Sequence, residues 1–72
     1  MNTSEIQRLQ KYLQEKFGNK NFKIVPRKED KESAEVLLGT EFIGTIYRDD
    51  DEGDVSFDFN MAILEMDLPK VA

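Results

Sequence analysis

Hydrophobic and polar positions alternate most regularly in the second half of the chain, on either side of an acidic break. Before the break lies an apolar run over residues 41–47. After it, Val55, Phe57, Phe59 and Met61 alternate with Ser56, Asp58 and Asn60. A period of two is typical of a strand with one buried face. The two runs therefore predict a β-hairpin, which the rest of the chain is expected to cover or connect.

A pattern with the period of a helix occupies the N-terminal quarter of the chain. Its apolar positions follow one another at steps of three and four: Ile6, Leu9, Leu13 and Phe17. Such steps place side chains in one stripe, which Tyr12 widens. Ser4 and Gln7 fit a capping box at the start, and Gly18 suits the left-handed residue that ends many helices. The sequence predicts a helix over residues 5–17.

Shorter apolar runs predict two further strands before the hairpin. Pro26 lacks the N–H that a ladder needs, so the first of these strands is expected at an edge of the sheet. The predicted strands span about residues 22–27, 33–38, 41–48 and 54–67. We therefore predict an α+β fold, in which one N-terminal helix packs on a four-stranded antiparallel meander. Residues 1–72 are expected to form a single small domain.

The end of the last strand has two interpretations. The apolar phase switches after Ile63, and a β-bulge that absorbs one residue would explain the switch. A short helix over residues 61–66 is the alternative, because those residues are good helix formers. The bulged strand is preferred, since it continues the β pattern.

The turns predict which residues share a face of the sheet. Gly39-Thr40 suits a two-residue hairpin turn that pairs Leu37 with Phe42 and Val36 with Ile43, and paired residues lie on the same face. The helix is then expected to cover Leu37, Phe42, Ile46, Phe57 and Phe59. A four-residue acidic turn would set Phe59 opposite Gly44, which leaves room for the ring. The uncovered face carries the candidate interface residues: Val36, Leu38, Ile43 and Tyr47.

The amino-acid composition excludes several kinds of catalytic chemistry. The chain has no histidine and no cysteine, so it lacks the commonest general base, a thiolate nucleophile and an imidazole or thiolate metal ligand. We expect a protein that is not an enzyme, with no cofactor and no small-molecule substrate. The absence of cysteine fits a reducing compartment, and no apolar run is long enough to cross a bilayer. A cytoplasmic location without membrane contact is therefore expected.

Charge is distributed unevenly and suggests two alternative functions. Residues 1–31 carry eight Lys/Arg against four Asp/Glu, whereas residues 32–72 carry two against eleven. The basic N-terminal half is a candidate for weak binding of nucleic acid or other anions, although the net charge of −5 argues against nucleic acid. The acidic turn over residues 49–54 is a candidate cation site. Counted from Asp49, it lacks the glycine and glutamate positions of an EF-hand loop.

Short motifs along nearly the whole chain resemble one protein family. The motifs are Tyr12-Leu13, Phe17-Gly18, Ala34-Glu35-Val36, Glu41-Phe42-Ile43-Gly44, Arg48-Asp49, Gly53-Asp54 and Ile63-Leu64. Together they resemble a family of short alphaproteobacterial proteins that is defined only as a domain of unknown function, DUF3126. The resemblance implies a free-standing bacterial protein and assigns it no catalytic residue or ligand. The expected function is that of a small interaction module, which uses its sheet to form a homodimer or to dock a protein partner.

Overall fold

The computed structural model describes residues 1–51 and 53–71, so Glu52 of the acidic turn and Ala72 lie outside the described residues. Its elements are α1 (Thr3–Phe17), β1 (Phe22–Pro26), β2 (Ser33–Leu38), β3 (Glu41–Asp49), β4 (Ser56–Asn60) and a 3₁₀ helix (Glu65–Asp67). The strands form one antiparallel sheet in the order β1-β2-β3-β4. The predicted α+β architecture, one helix and a four-stranded meander, is confirmed.

The helix begins two residues earlier than predicted. Asn2 is the cap: its Oδ1 accepts from the Glu5 amide at 2.8 Å, and Glu5 Oε1 accepts from the Asn2 amide at 3.2 Å. This capping box replaces the predicted one because it adds half a turn and brings a carboxylate to the positive end of the helix dipole. Gly18 ends the helix in the left-handed conformation, as predicted.

A bulge in β3 changes the predicted faces of the sheet. Leu37 pairs with Phe42 as predicted, but Val36 pairs with Gly44, which leaves Ile43 as an extra residue. Because one inserted residue reverses the alternation of side chains, the predicted faces of β2 are exchanged. Val36 is fully buried at 0% exposure, whereas Phe42 lies on the outer face and is 53% exposed.

The core lies beneath α1 and is centred on the first three strands. Its buried members are Leu13, Phe22, Ile24, Ala34, Val36 and Ile46. The backbone of α1 packs on β1. In the described chain it lies farther from the other three strands. Phe57 and Phe59 of β4 share the face of Ile46, as predicted, but they are only partly buried at the margin of this core.

The pairing of β3 with β4 is offset by two residues from the prediction. Phe59 pairs with Ile46 rather than with Gly44, and Phe57 pairs with Arg48. The predicted role of Gly44 is nevertheless confirmed, because the Phe59 ring lies against it. A Cβ on Gly44 would stand 2.6 Å from Phe59 Cε1 and would also meet the Asn60 carbonyl oxygen.

The last strand is shorter than predicted. β4 ends at Asn60, whose partner is Thr45, and the described chain beyond it contains only the 3₁₀ turn. Both interpretations of this region were wrong: residues 61–66 form neither a bulged strand nor a regular helix. The physical reason is the bulge at Ile43, beyond which β3 no longer offers the segment a matching ladder.

Gly44→Ala is expected to lower the free energy of unfolding by about 1–3 kcal/mol, because the new methyl group must displace backbone as well as the Phe59 ring. Ser56→Ala, at an exposed position of β4, is the control and should change stability by less than about 0.5 kcal/mol. Urea unfolding followed by circular dichroism measures both. Equal stability of Gly44→Ala and the wild type would contradict the close approach of β3 and β4.

Candidate interaction surface

One edge of the sheet is closed by the helix. The Ile24 amide, which points away from β2, donates to Gln10 Oε1 at 3.0 Å, and the Phe22 carbonyl accepts from Gln14 Nε2 at 3.0 Å. The next outward position of β1 is Pro26, which has no N–H to satisfy. Helices and prolines that cover an edge prevent other strands from pairing with it. β1 is therefore closed to further pairing along this edge.

The opposite edge is open. The Arg48 amide donates to the Glu32 carbonyl at 2.8 Å, so after the bulge the even-numbered residues of β3 bond towards β2 and its odd-numbered residues towards β4. By the same alternation, Phe57 and Phe59 direct their N–H and C=O groups to the free side of β4. Among the described residues, no side chain donates to or accepts from these four groups. β4 is thus the side at which another strand can pair.

A groove of about 680 Å³ runs between α1 and β4 on the helix side of the sheet. We call it the α1–β4 groove, and its principal apolar walls are Leu9, Tyr12, Val55, Phe57 and Phe59. Tyr12 is 58% exposed, although it belongs to the predicted helix stripe. The groove exists because α1 packs on β1, so Phe57 and Phe59 of β4 are only partly covered by the helix.

The polar end of the α1–β4 groove is fixed by Arg48. Its Nε lies 3.0 Å from Glu5 Oε2, and its Nη1 lies 2.8 Å from Asp50 Oδ2 and 3.5 Å from Glu32 Oε2. The hydrogen bond from Arg48, followed by that from the Asn2 amide, lowers the pKa of the Glu5 carboxyl. Hydrogen bonds to Glu5 and then Asp50 raise the pKa of Arg48. This ion-pair cluster fastens the first turn of α1 to β3.

In a comparison with protein-family models, one family matches residues 5–67 of the chain. The matching family is described as "Protein of unknown function (DUF3126)". The chain belongs to the DUF3126 family. No curated protein and no solved structure matches it. Since the family description assigns no activity, the function of this DUF3126 protein has to be argued from its surfaces.

The structure separates the four predicted interface residues of the DUF3126 protein. Val36 is part of the core, which corrects its predicted place on the uncovered face. Leu38 and Ile43 are half-buried against the core, and only Tyr47 is an exposed residue of the outer face. The cause is the bulge at Ile43, which places Val36 under the helix. The predicted patch is therefore not formed, and an interface role for these residues stays a prediction.

The segment after β4 exposes apolar side chains of its own. We call residues 61–71 the C-terminal arm, and all of its residues are exposed. Its large apolar members are Met61, Ile63, Leu64, Met66, Leu68 and Val71. A second hollow opens where the arm diverges from the first half of β3. The molecule as a whole is elongated, with a long dimension of 47 Å against 24 and 23 Å in the other directions.

The charged segments show less organisation. In the basic half, Arg27 lies 3.8 Å from Glu35 and donates to Thr45 Oγ1 at 3.4 Å, so its charge is already compensated. In the acidic turn, Asp49 accepts from the Asp51 amide at 3.0 Å. Within residues 1–51 and 53–71, no three acidic side chains converge to hold a metal ion. Anion and cation binding remain predictions for the DUF3126 protein.

No helix of the described chain combines the length and the apolar character that crossing a bilayer requires. The features that the sequence did not reveal are Gln10 and Gln14, because polar residues in a helix pattern are ordinarily assigned to its solvent side. Their spacing of four residues, beside the buried Leu13, was the available signal.

Glu5→Gln is expected to reduce the free energy of unfolding at neutral pH. It should also make that free energy change less as the pH is lowered. The folded state lowers the pKa of Glu5 from its ordinary value of 4.5. The stabilisation is therefore complete above pH 4.5 and is lost as the pH falls through the lowered value. Thermal unfolding between pH 7 and pH 2 should show the variant and wild type converging in acid.

Glu15→Gln is the matched control, because Glu15 lies on the same helix and its pair with Lys11, at 3.8 Å, is largely exposed. It should change stability little at any pH. A difference between Glu5→Gln and wild type that stays constant down to pH 2 would contradict the assignment.

Proposed function

We propose that this protein is a non-catalytic protein-interaction module that binds its partner along β4, through the free edge and the α1–β4 groove together. One observation carries the proposal: Gln10 and Gln14 close the edge of β1, whereas no described residue gives the edge of β4 such a cover. Open edges with adjacent apolar surface are common sites for the addition of a strand from another chain.

The two parts of the surface suit a single polypeptide. A strand placed beside β4 would bond to the N–H and C=O groups of Phe57 and Phe59. Every second side chain of that strand would then lie beside the rings of the same residues, at the open side of the α1–β4 groove. Backbone bonds supply affinity in this mode, and the alternate side chains supply selectivity. Burial of half-exposed aromatic rings adds a hydrophobic contribution.

A small-molecule site is a poorer description of the same surface. The groove volume lies within the range of roughly 300–1,000 Å³ that is usual for ligand pockets. Its walls, however, are half-exposed, and of its two charged lining residues, Glu5 and Arg8, Glu5 is already bound by Arg48. Because that ion pair keeps Glu5 ionised, it is unsuited to act as a proton donor at neutral pH. A ligand in the groove would also leave the β4 edge unpaired.

A bacterial cytoplasm is the setting that we propose for this interaction. The absence of cysteine is compatible with a reducing compartment, and the resemblance to short bacterial proteins points the same way. Fractionation of the source cell would test the location independently of the interaction.

The docking surface can be tested with a photo-reactive amino acid placed at single positions of α1. Benzoylphenylalanine at Tyr12, a wall of the α1–β4 groove, is expected to give a discrete cross-linked product when living source cells are irradiated. Phe17 is the matched control: it lies on the same helix and is 57% exposed, but it stacks on Phe22 at the β1 side. It should give little or no product.

Adding Phe57→Ala to the Tyr12 probe should reduce the yield of the product, because that substitution removes the opposite wall of the groove. Circular dichroism of each purified variant establishes that it is folded. Equal products from the Tyr12 and Phe17 probes, or none from Tyr12, would contradict the proposed docking surface.

A further inference from the structure

We propose that the partner bound along β4 is a second copy of this chain, joined by antiparallel pairing of the two β4 strands about a two-fold axis at Phe59. The inference rests on the proposed function, because it names the occupant of the same surface. It specifies the partner and the register of pairing, and an experiment can disprove either one without the other.

The first argument is that the strand pattern continues past the end of β4. Met61 and Ile63 follow Phe57 and Phe59 in the same period of two, yet the strand stops at Asn60. Within one chain these residues have no ladder, because the bulge in β3 ends the pairing at Thr45 and Asn60. A strand on the free side of β4 supplies the missing ladder.

The second argument is that the segment is complementary to itself. With the axis at Phe59, Asp58 faces Asn60 of the copy and can accept a hydrogen bond from its amide group. In the same register Phe57 faces Met61, and Val55 faces Ile63. All the apolar side chains of residues 55–63 then lie on the groove side, and the polar or small ones lie on the other.

Two symmetric registers that are shifted towards the start of β4 are poorer. An axis between Phe57 and Phe59 places Asp58 opposite Asp58, and like charges directly opposite destabilise a sheet. An axis at Phe57 leaves Met61 and Ile63 without partners. Charge and pattern therefore favour the axis at Phe59 over these two, and the cysteine pairs described below separate it from an axis at Asn60.

The third argument is the amount of exposed surface. The chain exposes 5964 Å², whereas a compact monomer of 8.4 kDa exposes about 4,600 Å². Two copies therefore have about 2,700 Å² of surplus surface, which falls within the roughly 2,000–5,000 Å² that obligate homodimers bury. The radius of gyration, 13.8 Å against about 11 Å for a compact chain of this length, agrees with the surplus.

Closure of β1 explains why pairing would stop at two copies. A contact in which each copy uses its β4 edge is symmetric and consumes both open edges. The remaining edges of the eight-stranded sheet are the two β1 strands, which Gln10 and Gln14 cover. The assembly is thus a closed dimer and not a fibre.

Cysteine pairs can report the register directly, because the chain has no cysteine of its own. Ser56, Asp58 and Asn60 are exposed on the outer face of β4. We expect a mixture of Asp58→Cys and Asn60→Cys proteins to form a disulfide-linked heterodimer with oxidised glutathione, since facing residues of this kind lie about 4.5 Å apart at Cα. Asp58→Cys mixed with Ser56→Cys, and Asp58→Cys alone, should form little.

Sedimentation velocity between 1 µM and 1 mM of the unmodified chain, concentrations on the order of common dissociation constants, is expected to show a dimer. Sodium chloride at about 0.5 M screens the repulsion between the acidic copies. Ile63→Asp should weaken the dimer about tenfold or more, because each dimer contains two such side chains. Met66→Asp is the matched control: it adds the same charge to the C-terminal arm outside the paired segment, at 84% exposure against 65% for Ile63, and should change little.

The outcomes are distinct. A monomer at every concentration overturns the second copy as the partner. If the Tyr12 photo-probe nevertheless yields a product with another protein, the docking surface stands without the dimer; if it yields none, both fail. Linkage of Asp58→Cys to Ser56→Cys or to itself, or of Asn60→Cys to itself, in place of the link between Asp58→Cys and Asn60→Cys overturns the register. Equal weakening by Ile63→Asp and Met66→Asp overturns the pairing of the segment.

Discussion

Two glutamine side chains determine which edge of the sheet is free. Gln10 accepts the outward amide of Ile24, and Gln14 donates to the outward carbonyl of Phe22. Both bonds require α1 to lie over β1. The backbone of α1 packs on β1 and not on the far strand, so the bonds that close β1 leave β4 open and leave Phe57 and Phe59 beside a groove.

The position of the helix is fixed at its other end by charge. Arg48 of β3 holds Glu5 in the first turn of α1 and gathers Glu32 and Asp50 around the same guanidinium. This cluster defines the polar end of the α1–β4 groove. Hydrogen bonds at β1 and ion pairs at β3 thus set the width of the groove, and its apolar walls follow from the alternation of side chains in β4.

The sequence was sufficient to predict the features that depend on short stretches of neighbouring residues. The helix stripe, the Gly39-Thr40 turn and the edge position of Pro26 are each fixed by a few neighbouring residues. The bulge at Ile43 was not predictable from such signals, because it is a register shift between β2 and β3 beside Gly44, where Phe59 and Asn60 approach from a distant part of the sequence. That one inserted residue displaced Val36 from the predicted interface into the core and shortened the last strand.

The claim that β1 is closed and β4 is open to a second copy can be tested most directly by amide hydrogen exchange, followed by NMR at low and high protein concentration. The Ile24 amide should be protected at both concentrations, because its partner Gln10 belongs to the same chain. The Phe57 and Phe59 amides should exchange rapidly in dilute protein and become protected as the concentration rises. Rapid exchange of Ile24, or protection of Phe57 and Phe59 that does not depend on concentration, would contradict the account.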